Sequence, residues 1–320
     1  MSGYYRFPTI NKSKVVFVAE DDLWSINIDN PKAYRLTTNI SEVSSPLISP
    51  DGKLIAFIGT EDGNNEVYIM PSNGGAATRL TYDGAFVKGI CAWENNDIIF
   101  STDLQQPFGR VSGLAKINKK GGQTQLLNYG IASNIALGGS SIVLGRNTAD
   151  PARWKRYKGG TAGELWISKD KNSKFKKLIS LNGNMACPMW INNRIYFISD
   201  HDGISNIYSC LATGRSLKQH TDHREYYARN ATTDGHKIVY HSGADIYTLD
   251  VKNDTYEKIE IEYNSSFVNR NRKFVSPSNY LEDISVNKDG SMVSYISRGK
   301  SLCMGTWNGP IYLSLIHISE

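Results

Sequence analysis

Three stretches carry residue types that could do chemistry. SDHDG (199–203) holds a serine, two aspartates and a histidine. Nucleophilic catalysis needs such groups converging in space, and adjacency along the chain does not supply that. Asp202-Gly203 parallels Asp62-Gly63 elsewhere, so the stretch reads as a turn between strands. HTDH (220–223) spaces two histidines so that a strand would send their rings to opposite faces. Shared metal ligation would need a loop and further ligands, so the segment reads as a loop at the end of a repeat. RWKRYK (153–158) interleaves cations with aromatics. Single-stranded nucleic-acid binders use that pattern, and so do loops in which arginine packs on tryptophan or tyrosine.

The charge balance argues against the nucleic-acid reading. The net charge is +5, from 36 basic and 31 acidic residues, and most of it is scattered rather than gathered in a stripe. No glycine-rich loop follows a strand and opens a helix, so nucleotide binding has no support. Cys91, Cys187, Cys210 and Cys303 are isolated, which suits small buried hydrophobes in a reducing compartment better than a zinc ribbon or redox pair. The first residues, MSGYYRFPTINKSK, lack the apolar core of a secretory signal, and no run of about 18 apolar residues occurs. The expectation is a soluble cytoplasmic protein with no cofactor, no metal, no nucleic-acid partner and no membrane span.

These stretches sit within a repeat. SPDGKLIAFIGTEDGNNEVYIM (49–70) reads as turn, strand, turn, strand, and the first strand is apolar on both faces. The same plan recurs behind turns at Lys12-Ser13, Asp51-Gly52, Asn95-Asn96, Gly138-Gly139, Asn192-Asn193, Asp234-Gly235 and Asp289-Gly290. A third segment usually ends near Leu-Thr, as in YRLTTN and TRLTYDG. Most spacings are close to the ~40–45 residues of a four-stranded propeller blade. One longer interval contains an insertion between Gly145 and Gly163, and another a linker after Tyr263. Stacking buries both faces of each sheet, so the regular period favours a β-propeller over a pair of β-sandwiches.

More specific stretches narrow the reading. VVFVAEDDLWSI (15–26), IIFSTDLQQPF (98–108), LGRNTADPARWKRYKGGTAGELWI (144–167) and RIYFISDHDGISNIYS (194–209) resemble the N-terminal six-bladed propeller of the tricorn protease family, within the wider TolB-type propellers. The stretch from 263 to 299 resembles that family's passage into a second propeller. The resemblance implies a cytoplasmic serine peptidase that trims oligopeptides, with its catalytic modules downstream of the propellers and outside this sequence. It also implies a homo-oligomer when full length. The family sets two adjacent arginines on a loop of this propeller to hold a substrate carboxylate. The matching stretch, TYDGAFVKGI (81–90), is shorter, lacks the pair and leaves Lys88 nearby.

The expected fold is all-β: a six-bladed propeller of four-stranded antiparallel blades over residues 1–264, a linker at 265–280, the first blade of a second propeller at 281–313, and a non-native tail at 314–320. Each unit carries its own four strands, so the ring should close mainly by side-chain packing between blades one and six. The fragment is expected to be inactive and to hold no catalytic residue. Its expected role is to gate the passage of peptides or products to a distant active site in the downstream peptidase domains of the parent chain. Lys88, Arg146, Arg153, Trp154, Arg156 and Tyr157 are the candidates for peptide or inter-domain contact. Two alternatives stand beside this: a TolB-type scaffold that binds proteins, and the propeller of a prolyl-oligopeptidase-like enzyme.

Overall fold

The apolar segments of the repeat pair within their own unit and nowhere else. The computed structural model describes residues 3–38, 41–171, 174–266 and 276–313. These form seven four-stranded antiparallel sheets, with no α-helix among them. The chain divides into two compact units, Met1–Ser265 with six sheets and Ser266–Glu320 with one. The tail at 314–320 and most of the linker lie outside the described residues.

In the first unit each sheet is a blade. Blade 1 runs Arg6–Asn11, Lys14–Ala19, Asp22–Asn27 and Asn30–Arg35, from the ring axis outward. The first strands of the six blades follow one another around the ring, and Arg6–Asn11 of blade 1 meets Ala228–Thr233 of blade 6. Second strands such as Leu54–Gly59 are buried on both faces. Six apolar clusters result, one for each seam between neighbouring blades.

The innermost strands carry a repeated irregularity. Phe7, Ser45, Cys187 and Asn230 take positive φ where the register slips in blades 1, 2, 5 and 6. Three of them precede Pro8, Pro46 and Pro188. An innermost strand has one free edge, so proline and a β-bulge are tolerated there.

The Leu-Thr ending has a physical role. Thr81 Oγ1 accepts the Val67 N–H at 2.9 Å and donates to the Glu66 carboxylate, which Arg79 also binds. Thr37 does the same for Leu23 and Asp22, and Thr221 for Ile207 and Asn206. One hydroxyl thus ties the end of a fourth strand to the start of a third. Glu66 and Thr81 are buried. Thr81→Val should therefore cost about 1–3 kcal/mol, read by urea unfolding, because it strands a buried N–H and one carboxylate oxygen.

Ring closure uses no exchanged strand. Tyr5, Phe17 and Trp24 of blade 1 pack with Val239 and Ile246 of blade 6, and with Ile259 and Tyr263 beyond its last strand. Main-chain bonds add to this packing. Ala33 N–H donates to Glu262 O at 2.9 Å, and Glu262 N–H to Pro31 O at 3.0 Å, forming a short parallel bridge.

The second unit is a single sheet: Leu281–Val286, Met292–Ser297, Lys300–Gly305 and Tyr312–Leu313.

Candidate functional site

The insertion at 147–163 joins the second and third strands of blade 4 and forms a strap. It starts at Asn147, which has φ 54°. Its destination is two blades away. Asp150 accepts the Arg229 Nε–H at 2.9 and 2.8 Å and a further bond from Nη2; Arg229 stands on the innermost strand of blade 6. Burial alone would lower the Arg229 pKa, but Asp150 outweighs it and holds the guanidinium above its usual range.

Between these ends the strap rests on blade 5. Asp200, buried at the hairpin after Arg194–Ser199, accepts the Arg156 N–H at 2.7 Å and the Asn184 N–H at 2.6 Å. Asn184 Nδ2 donates to Trp154 O at 3.0 Å. Lys155 Nζ lies 5.4 Å from the Tyr227 ring, on the passage from blade 5 to blade 6. At the far end, Met185 N–H donates to Gly163 O at 3.1 Å. A Cβ at Gly163 would come within 2.2 Å of Met185 O, so only glycine allows this approach. The strap therefore spans blades 4 to 6 at the end of the innermost strands, on the face that carries the blade-to-blade connections.

That face also holds most of the exposed large apolar side chains of the first unit: Tyr4, Tyr82, Phe86, Phe108, Ile131, Trp154 and Tyr226. The opposite face offers Leu217.

Beneath the strap lies a polar wall. His241 pairs across strands with Arg229 and is 1% exposed, with no hydrogen-bond partner for either ring nitrogen. Burial pushes its pKa down to about 3, reinforced by Arg229 and Arg6 and opposed by Asp150.

The two chemistry-bearing motifs resolve differently. In SDHDG, Gly203 takes φ 118° at the turn, His201 Nδ1 meets Ser199 Oγ at 3.0 Å, and Asp200 serves the strap. In HTDH, His220 Nε2 lies 2.7 Å from Ser209 Oγ, and its Nδ1 bonds Asp254. This has the connectivity of a nucleophilic triad but not its access. Ser209 is 0% exposed, and its oxygen already accepts Arg194 Nε–H at 2.8 Å. The relay ties blade 5 to blade 6. His223 bonds the Tyr240 hydroxyl at 2.9 Å among Tyr240, Tyr247 and Tyr256. Among the described residues no group of three or more His, Cys, Asp or Glu could hold a metal. The four cysteines are free; Cys210 is fully buried, and burial raises its thiol to about 11.

A family model, the tricorn protease N-terminal beta propeller domain, matches residues 2–255. The chain belongs to this tricorn propeller family. The tricorn protease homolog of Saccharolobus solfataricus is 37% identical over 315 residues, covering 97% of this chain and 29% of that protein. The putative tricorn-like protease N-terminal subunit of Sulfurisphaera tokodaii is 37% identical over 176 residues, covering 54% of this chain and 90% of that protein. Among solved structures, the crystal structure of the tricorn protease superposes with a TM-score of 0.84 at 29% identity, covering 98% of this chain and 31% of that one. The chain thus spans under a third of the tricorn homolog and of the tricorn crystal chain.

Within this tricorn propeller the six candidate residues do not form one site. Arg153, Trp154, Arg156 and Tyr157 lie together on the strap, with Trp154 and Tyr157 ring centroids 5.2 Å apart. Arg146 stands apart, its guanidinium 4.6 Å from the Trp166 ring and 5.8 Å from that of Phe175. Lys88 donates to Gly109 O, Val111 O and Ser112 Oγ at 2.8–3.0 Å, so it binds the 103–112 loop with all three of its protons. Burial lowers its pKa, opposed by Asp103. Asp150, Arg229, Asp200 and Asn184 anchor the strap, and spacing did not reveal them. Asp150 and Arg229 are 79 positions apart, and only the closed ring brings them together.

Proposed function

We propose that this propeller is the non-catalytic, access-controlling region of a larger tricorn-type serine peptidase of the cytoplasm, with the catalytic groups in downstream domains. Oligopeptides are its ligands, and the rest of the parent polypeptide, in a homo-oligomeric assembly, is its partner. One observation carries the reading: a strap anchored on blade 4 reaches blade 6 and is held there by the two-pronged Asp150–Arg229 pair. A strap placed at the end of the channel selects by width. An extended peptide can pass beside it, whereas a folded chain cannot.

The test uses the full-length parent enzyme. Asp150→Asn combined with a shortened strap should raise kcat/KM several-fold for a long oligopeptide and leave a small fluorogenic peptide unchanged. Equal values for both substrates before and after the change would remove the strap from substrate access.

A further inference from the structure

We propose that the crest of the strap, residues 153–158, is a docking site for acidic oligopeptides. This rests on the access-control reading and names the class of peptide that the strap favours. Arg153, Lys155, Arg156 and Lys158 crowd into six positions, all are exposed, and none has a carboxylate within ion-pair distance among the described residues. Some exposed cations of this unit have one, such as Lys218 with Asp254 and Arg224 with Asp222, and others, such as Lys53 and Arg110, have none; the crest differs in gathering four unpaired cations within six positions. The carboxylate beneath the crest, Asp200, spends its oxygens on the amide groups of Arg156 and Asn184.

The crest is also shaped in advance. Trp154 is 57% exposed and tilts against Tyr157, with the Arg153 guanidinium 5.6 Å from the indole. Arg156 is held at φ 54° by its bond to Asp200, and Trp154 by the bond of its carbonyl to Asn184. An arriving ligand therefore has less to order on binding. Two forces converge there: attraction for negative charge, and an aromatic surface for an apolar side chain or a peptide plane.

The size of the basic patch selects the occupant. Elsewhere on the same face the exposed Asp83 and Asp202 present carboxylates with no cation within ion-pair distance among the described residues, whereas Asp62 and Asp222 are paired with Arg79 and Arg224. A long phosphate backbone would meet these carboxylates as soon as it left the crest. A short peptide bearing Asp or Glu fits within the patch.

The experiment uses the full 320-residue chain and fluorescence anisotropy. Three labelled peptides of equal length are compared, rich in glutamate, glutamine or lysine. The glutamate peptide should bind about tenfold tighter than the glutamine peptide at low ionic strength, and most of that margin should vanish near 1 M salt, where charges are screened within about 3 Å. Replacing Arg153, Lys155, Arg156 and Lys158 together by glutamine should bring the glutamate peptide down to the glutamine level without moving the unfolding midpoint. Trp154→Ala should weaken both peptides several-fold. Equal binding of the glutamate and glutamine peptides would overturn the proposal, as would unchanged binding by the quadruple variant. A thymidine oligonucleotide of matched charge that binds tighter than the glutamate peptide would also overturn it, in favour of a phosphate site. The parent-enzyme test of strap shortening reads turnover, not affinity, so the two readings can fail separately.

Discussion

Acidification from pH 7 to pH 4 is expected to remove about 3 kcal/mol of unfolding free energy through His241 alone. The folded pKa is about 3 against an ordinary 6.5. Between those values the unfolded chain binds a proton that the folded protein refuses. Stability therefore falls as pH falls through this window, and is fully present above it. The cause is local. The ring is shut between blades 6 and 1 beside two cations, Arg229 and Arg6, and Asp150 opposes them only in part. His201, His220 and His223 are lowered by burial as well, so they act with the same sign. Asp254 and Asp97, held low by their hydrogen-bonded partners, add a second loss near and below pH 4. Urea unfolding across pH separates the two. His241→Phe should make the profile from pH 6.5 to about 4 shallower, leaving the contribution of the other three histidines and the acid limb. An unchanged slope in that variant would show that the buried imidazole is not what resists protonation.

The sequence made the blades legible because each is a local object. A turn, an apolar strand and a second strand lie within a few dozen residues, and every strand pairs with its neighbour in the chain. The Leu-Thr ending was visible as a recurrence, but its cause was not. The hydroxyl of Thr81 answers to Glu66 and Val67, which lie in the preceding strand. Of the site, the cations and aromatics of 153–158 were readable as a cluster. Their foundation was not, because Asp150, Asp200 and Arg229 belong to three blades, and only closure of the ring makes them neighbours. Arg146 shows the converse. It resembles its strap neighbours in type and nearness, yet its strand points it into the seam between blades 3 and 4, over Trp166 and Phe175. At His220 the segment is the loop that its spacing suggested, and the relay its ring forms between Ser209 and Asp254 is what the spacing did not show.

Tyr263→Ala is expected to destabilise the propeller by about 3–5 kcal/mol, the range for loss of a buried aromatic. Tyr263 lies beyond the last strand of blade 6, is 3% exposed, and packs edge-on against Tyr5 at 5.5 Å and tilted against Trp24 at 4.7 Å. Both partners belong to blade 1. In a ring without an exchanged strand, the closing seam rests, beside its apolar contacts, on the Pro31–Ala33 bridge to Glu262 and a few further bonds, such as Tyr5 N–H to Ala244 O, Lys12 N–H to Asp234 Oδ2 and Thr232 Oγ1–H to Pro8 O. A cavity at Tyr263 removes the link between the chain that leaves blade 6 and the core of blade 1. Each of the other seams keeps a covalent connection between its blades, so a comparable cavity there still leaves the blades tethered. The 6–1 seam has no such tether along the chain, and it should open first. Leu217→Ala, on an exposed turn, should move stability by no more than about 0.5 kcal/mol. Hydrogen exchange gives the sharper reading: in Tyr263→Ala the amides of Arg6–Asn11 should lose protection before those of Leu54–Gly59. If both strands lose protection together, the seam is not the weak point, and closure is shared around the whole ring.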